Sequence, residues 1–243
     1  MSIKEAFFLF LLLAVSTSLS AQLPREVNLS QWKFSCDSVH WEPVSVPHDW
    51  AISGSFDKKW DLQNVAITQN GKTQETEKTG RSGALPWIGK GFYKTKLKIA
   101  RNYPHAELLF DGAMSEPVIY INDHRAGAWA YGYNAFRIDV TPYLNKGENI
   151  ISVSLQNLEE SRRWYHGGGL YRPVGLILNG GTYFDGWASF IRTERIEPDR
   201  AIIWCDVKVA GDVQGDYVRF LLKDKDGKKA SAQFLLRRKR ASS

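Results

Sequence analysis

Cysteine is nearly absent from this chain: among 243 residues there are two, Cys36 and Cys205, far apart in the sequence. Two thiols and five His offer no CxxC or HExxH spacing, so a zinc site has little support, and export would permit a disulfide between the two cysteines. Both cysteines sit in strand-like runs, and two buried free thiols are expected. Also lacking is any G-x-S-x-G elbow; "GRSGA" at 80–84 has the wrong spacing, so the HGGG at 166–169 has no serine to serve as an esterase oxyanion loop. A phosphate cradle would need a helix after its glycines, whereas "LYRPVGLIL" follows Gly169 and reads as a strand containing a proline.

Long hydrophobic runs are missing too, with one exception at the start. Lys4, an apolar run from Ala6 to Val15 and small residues before Ala21 and Gln22 form the pattern of a secretory signal peptide over residues 1–21, with cleavage expected near Ser20 or Ala21. Ten apolar residues fall short of the roughly 20 needed to span a bilayer. The expectation is a periplasmic or extracellular protein with no membrane partner once the leader is removed.

A structured basic face is a further absence. The formal charge is +6, but Arg237, Arg238, Lys239 and Arg240 crowd the last seven residues, and without those four the body carries about +2. "KTKLK" at 94–98 reads as the solvent side of a strand whose other side is Tyr93, Thr95, Leu97 and Ile99, so no nucleic-acid partner is expected.

What the chain does contain is aromatic residues, 13% with nine Trp, and strand alternation. "AELLFDG", "PVIYINDHRAG", "FRIDV", "NIISVSLQN" and "VGLIL" are short β-type runs bounded by Gly, Asn, Asp or Pro. Asn122 and Asp123 mark a hairpin bend in "INDHRAG". "TPYLNKGEN" predicts one helical turn, capped by Thr141, entered by Pro142 and stopped by Gly147. No helix of crossover length separates the strands, which excludes a parallel α/β sheet and leaves an all-β antiparallel sandwich.

A boundary is expected at "LILNGGTYFDG", where Gly180, Gly181 and Gly186 bracket a connector. Strands resume in "AIIWCDVKVAG", with Ile203, Cys205, Val207 and Val209 on one side, and in "DYVRFLLKDKDGKKA", with a turn at Asp226 and Gly227. An immunoglobulin-like sandwich takes about 100 residues. The stretch 183–243 holds roughly half of that, so this second sandwich is expected to be incomplete, its basic tail reading as a truncated or out-of-frame end.

Candidate carboxylate pairs are few. Glu159 and Glu160 are neighbours at a strand end and point to opposite faces. Glu75 and Glu77 lie in "QNGKTQETEKTGRSG", a polar insertion that reads as a mobile loop. His48 and Asp49 are adjacent, which rarely builds a base with its orienting partner, and no nucleophile accompanies them.

Five stretches, "VSVPHDWAI" (44–52), "GKGFYKTKLKI" (89–99), "LLFDGAMSEPVIYINDHRAGAWAYGYNAFRIDVTPYL" (108–144), "NIISVSLQN" (149–157) and "RRWYHGGGLYRPVGL" (162–176), together resemble the amino-terminal jelly-roll domain of glycoside hydrolase family 2, most of all its bacterial β-galactosidases. The resemblance covers about residues 29–182 and implies a galactose-binding-like jelly roll over 22–182, followed by a partial immunoglobulin-like sandwich over 183–243. It also implies a retaining exo-glycosidase whose two catalytic glutamates, about 5 Å apart, lie on a following TIM barrel. That barrel is absent from this chain, so no catalytic residue, metal or cofactor is expected here. The partners implied are the barrel and a terminal β-galactoside or related glycan.

The resemblance makes His48, Asp49 and Trp50, with Gly169, Tyr171 and Arg172 of the following corner, parts of the scaffold. It places Arg163 and Trp164 toward the barrel's mouth, where an arginine fork and an indole wall suit a sugar, although both suit packing within the corner equally well. A stand-alone carbohydrate-binding module and an interaction domain are the alternatives.

Overall fold

In a computed structural model the chain is all β among the described residues, which are 25–50, 52, 63–78, 89–157, 167–185, 187–198, 200–212, 217–223, 227 and 229–235. The first twelve strands are β1 (Arg25–Asn28), β2 (Gln31–Ser35), β3 (Glu42–Ser45), β4 (Gln63–Gln69), β5 (Lys72–Lys78), β6 (Gly89–Ile99), β7 (His105–Phe110), β8 (Val118–Ile121), β9 (His124–Ala128), β10 (Phe136–Asp139), β11 (Gly147–Asn157) and β12 (Val174–Asn179). Ten of them form two antiparallel sheets, one ordered β1-β12-β7-β10 and the other β3-β2-β6-β11-β8-β9.

The alternation in sequence explains how the sheets stack. In β11 the odd positions Ile151, Val153 and Leu155 are buried, while Ser152, Ser154 and Gln156 are only half-buried on the other side. Tyr93 and Ile99 of β6, Ile119 and Ile121 of β8, and Trp32 and Phe34 of β2 join the same inner face. The opposite sheet supplies Leu108 and Phe110 from β7, Phe136 from β10, and Val174, Leu176 and Leu178 from β12. These side chains form one core, in which Phe110 and Phe136 stack with centroids 4.8 Å apart. Filling the space between two sheets this way is what an antiparallel sandwich requires.

The bend at Asn122 and Asp123 joins β8 to β9 with φ of 50° and 67°, the left-handed pair that a two-residue hairpin demands. Asn122 also ties the bend inward, donating from Nδ2 to the carbonyl of Tyr143 at 3.0 Å and to Oδ1 of buried Asn149 at 2.9 Å. The stretch from Thr141 forms a single turn, Leu144 N donating to the Val140 carbonyl at 3.2 Å. Its cap differs from the expected one: Asp139 Oδ1 accepts from Thr141 N at 2.9 Å, while Thr141 Oγ1 accepts from Ala106 N of β7 at 2.9 Å. Thr141 is drawn away because β10 pairing ends at Glu107, and its hydroxyl takes the next β7 amide, that of Ala106.

Two further expectations are corrected. Glu75 and Glu77 do not lie in an irregular loop: β4 and β5 pair in full register, Glu75 opposite Ala66 and Glu77 opposite Asn64. The Asn70-Gly71 turn, with φ of 54° and 73°, supplies the same two-residue bend as in the β8–β9 hairpin. Cys36 is exposed, because the inward alternation of β2 stops at Ser35 and the chain leaves in a series of bends; Cys205 is half-buried, and both thiols are free.

Beyond β12 come β13 (Thr182–Phe184), β14 (Phe190–Ile196), β15 (Ala201–Asp206), β16 (Val209–Gly211), β17 (Tyr217–Lys223) and β18 (Lys229–Leu235). They pair two by two, as β13 with β16, β14 with β15 and β17 with β18. Gly227, with φ of 80°, lies in the β17–β18 connection; Gly186 and Asp226 are outside the described residues. No helix is long and apolar enough to cross a membrane among the described residues.

Candidate functional site

The corner that follows β11 is built around three glycines. Gly167 and Gly169 have φ of +92° and +94°, a conformation that only glycine adopts without strain. Gly168 is required for a different reason: a Cβ there would lie 2.9 Å from Trp50 Nε1 and 3.0 Å from Asn157 Nδ2. At Gly169 a Cβ would come within 2.7 Å of the His48 carbonyl and would also collide with the Tyr93 hydroxyl. The glycine run is therefore pressed against the "PHDW" segment.

That segment is a platform of rings. Phe34 stacks on Trp50 with centroids 5.7 Å apart, and the Phe34 and Tyr93 centroids lie 5.0 Å apart. His48 Nδ1 and the Tyr93 hydroxyl lie 2.8 Å apart, and His48 N donates to the Leu170 carbonyl at 2.8 Å. Burial pushes the Tyr93 hydroxyl far above its ordinary pKa. Burial also lowers His48, against the opposing pull of Glu42 and Asp49, so its imidazole is held toward the neutral form. Asp49 places its carboxylate beside Gly167.

On its other side the corner locks two loops. Gly169 and Met114 exchange backbone hydrogen bonds, each 2.9 Å. Tyr171 donates from its hydroxyl to the Gly132 carbonyl at 2.8 Å, and Arg172 Nη1 donates to the carbonyls of Asp111 and Tyr133 at 3.3 and 3.2 Å. His48, Trp50, Gly169, Tyr171 and Arg172 thus converge on one end of the sandwich, with Asp49 beside them. Among the described residues, none of the contacts named above pairs a nucleophile with a base. Among the described residues no group of three His, Cys, Asp or Glu is placed to hold a metal.

Arg163 and Trp164 lie outside the described residues, as do Glu159 and Glu160. The two ends of their segment are described: Asn157 closes β11, and its Nδ2 donates to the Gly167 carbonyl at 3.4 Å. Sequence reasoning passed over the loop after β9, where Trp129, Tyr131 and Tyr133 are 37%, 54% and 37% exposed. Alternating aromatics in a segment that is not a strand were the available signal.

No family model matches the chain. A Formosa agariphila protein named as a candidate β-glucuronidase is 33% identical over 184 residues, 75% of this chain and 16% of its own length. A β-galactosidase of Bacteroides ovatus is 31% identical over 169 residues, 67% of this chain and 18% of its own. The fold agrees: a glycosyl hydrolase family 2 member from Bacteroides cellulosilyticus superposes with a TM-score of 0.67 at 24% identity, over 88% of this chain and 29% of that one. The chain belongs to glycoside hydrolase family 2. It spans less than a fifth of the length of these two sequence relatives, and the described residues form β-strands with no catalytic barrel among them.

Proposed function

We propose that this chain is the amino-terminal, sugar-presenting part of an exported family 2 glycosidase of the β-galactosidase type. Its signal peptide would be residues 1–21, its jelly roll 22–182 and an immunoglobulin-like segment 183–243. The hydrolysis itself would be performed by two glutamates on a barrel outside these residues, one attacking the anomeric carbon while the other protonates the leaving oxygen.

The observation that carries this reading is the stapled corner. Asn157 and Gly167 join the ends of the segment bearing Arg163 and Trp164, on a base fixed by Trp50, Tyr93 and His48. A rigid base of this kind is what a short recognition segment needs if it is to hold an arginine fork and an indole against a sugar ring.

Assays of the chain with aryl β-galactoside and aryl β-glucuronide test it, together with saturation-transfer NMR using methyl β-galactoside. The expected result is no turnover, with transfer to the sugar that disappears in an Arg163→Ala, Trp164→Ala double variant. Turnover abolished by replacing a glutamate of this chain, or transfer unchanged in the double variant, overturns the proposal.

A further inference from the structure

The exposed loop after β9 is tied to the glycine corner through one residue. Met114 is fully buried, and on the corner side it exchanges backbone hydrogen bonds with Gly169. On its other side lies Gly132, where a Cβ would collide with Met114 Sδ and come within 3.2 Å of the Ala113 carbonyl. The corner also reaches the loop directly, Tyr171 donating from its hydroxyl to the Gly132 carbonyl at 2.8 Å and Arg172 Nη1 to the Tyr133 carbonyl at 3.2 Å. Trp129 fixes the loop from within, its ring stacked on core Phe136 at 5.3 Å and 7° and its Nε1 donating to Asn134 Oδ1 at 2.9 Å. Each of these ties runs through main-chain atoms of the loop or through Trp129 and Asn134.

With Gly132 turned onto Met114, the side chains on either side of it stand at the surface. Tyr131 and Tyr133 are 54% and 37% exposed, their ring centroids 5.6 Å apart and their planes inclined at 59°, which makes a shallow wedge of two phenols. Burial pushes the Tyr171 hydroxyl above its ordinary pKa, and Tyr133 and Tyr131 add to the rise against the pull of Arg172, so a third phenol lies close to the wedge. Two tyrosine rings on a loop whose backbone is already fixed offer contact area at little cost in ordering. Their faces suit the apolar C–H face of a pyranose, and their hydroxyls donate and accept as sugar hydroxyls do. Residues 129–134 carry no charged side chain, and Arg172 Nη1 faces the carbonyls of Asp111 and Tyr133, so the complementary ligand is a neutral saccharide.

We propose that Tyr131 and Tyr133 form a second saccharide site, which takes the neutral sugar unit next to the terminal one in an oligosaccharide presented at the glycine corner. This site presupposes the sugar-presenting reading of that corner. It adds a preference for a chain of sugars over a single glycoside. Corner and loop pack against the same buried Met114, so a chain of two or more units can touch both. Tyr171 and Arg172 then act as positioning residues, because they hold the loop by the carbonyls of Gly132 and Tyr133.

Calorimetry on the full chain with methyl β-galactoside and β-linked galactotetraose tests this, together with NMR of the tyrosine rings. The tetraose is expected to bind about threefold or more tightly than the single glycoside. Tyr131→Ala with Tyr133→Ala should remove that advantage and leave the affinity for methyl β-galactoside and the thermal midpoint unchanged, since the loop is held through its main chain. Tyr131→Phe with Tyr133→Phe keeps the ring faces and should keep most of the advantage. In the parent chain the ring resonances of both tyrosines should shift with the tetraose and stay in place with methyl β-galactoside. Equal affinity for the two sugars, an advantage that persists in the double alanine variant, ring resonances that ignore the tetraose, or no tetraose binding at millimolar concentration overturns the proposal. So does reduced self-association of the alanine variant in light scattering with sugar binding intact, which would make the tyrosines a protein contact. The glycosidase reading fails on a different result, transfer to methyl β-galactoside that survives Arg163→Ala with Trp164→Ala, a variant in which both tyrosines remain.

Discussion

Strands on both sides of residue 180 carry large apolar side chains, yet these end in different environments. Leu108, Phe110, Ile119 and Ile151 have no exposed surface, whereas Ile196, Ile191, Phe190 and Leu222 are 78%, 64%, 58% and 55% exposed. The difference lies in what faces each strand. β7 and β11 belong to sheets that stack, so each inward side chain meets a second layer. Among the described residues β14–β15 and β17–β18 pair only as two-stranded ribbons, which bury few of their side chains, Val218 being one. Strand formation is therefore a poor guide to stability in this chain; the second sheet decides it.

One pair of substitutions should separate the two regions most widely. Gly169→Ala puts a side chain at φ of +94°, against the His48 carbonyl and the Tyr93 hydroxyl, and should destabilise the sandwich by about 3 kcal/mol or more in urea unfolding. Leu222→Ala, on an exposed ribbon, should change the same midpoint by no more than about 0.5 kcal/mol. Comparable losses would mean that the ribbons share the core's burial.

A smaller effect concerns acidity. Burial lowers the His48 pKa from 6.5, so between the folded and unfolded values the unfolded chain binds the extra proton. The stability this contributes is complete above pH 6.5 and is lost as pH falls through the folded value. The thermal midpoint should fall more on acidification in the parent chain than in His48→Gln. Parallel curves would show that the platform under the corner does not hold His48 neutral.

The sandwich was largely legible in the sequence because its strands alternate strictly and are separated by turn residues. "NIISVSLQN" and "INDHRAG" fall in β11 and the β8–β9 hairpin, since Ile and Val at every second position and an Asn-Asp bend leave few alternatives. The β4–β5 hairpin was obscured because its residues are mostly polar, and the Asn70-Gly71 signal was read as part of a loop. The exposure of Cys36 was hidden because nothing local shows where an inward alternation stops. The corner glycines stand out in the sequence, but their neighbours Trp50 and Tyr93 are far away in it and only the fold brings them together.

Native-state hydrogen exchange, read strand by strand, tests most directly the claim that a closed scaffold carries the glycine corner. The account predicts that amides of β6, β7, β11 and β12, together with Gly169 N and His48 N, exchange only at the slow rate of global unfolding, while those of β14, β15, β17 and β18 exchange orders of magnitude faster. Equal protection in both regions, or fast exchange at Gly169 and His48, would contradict it.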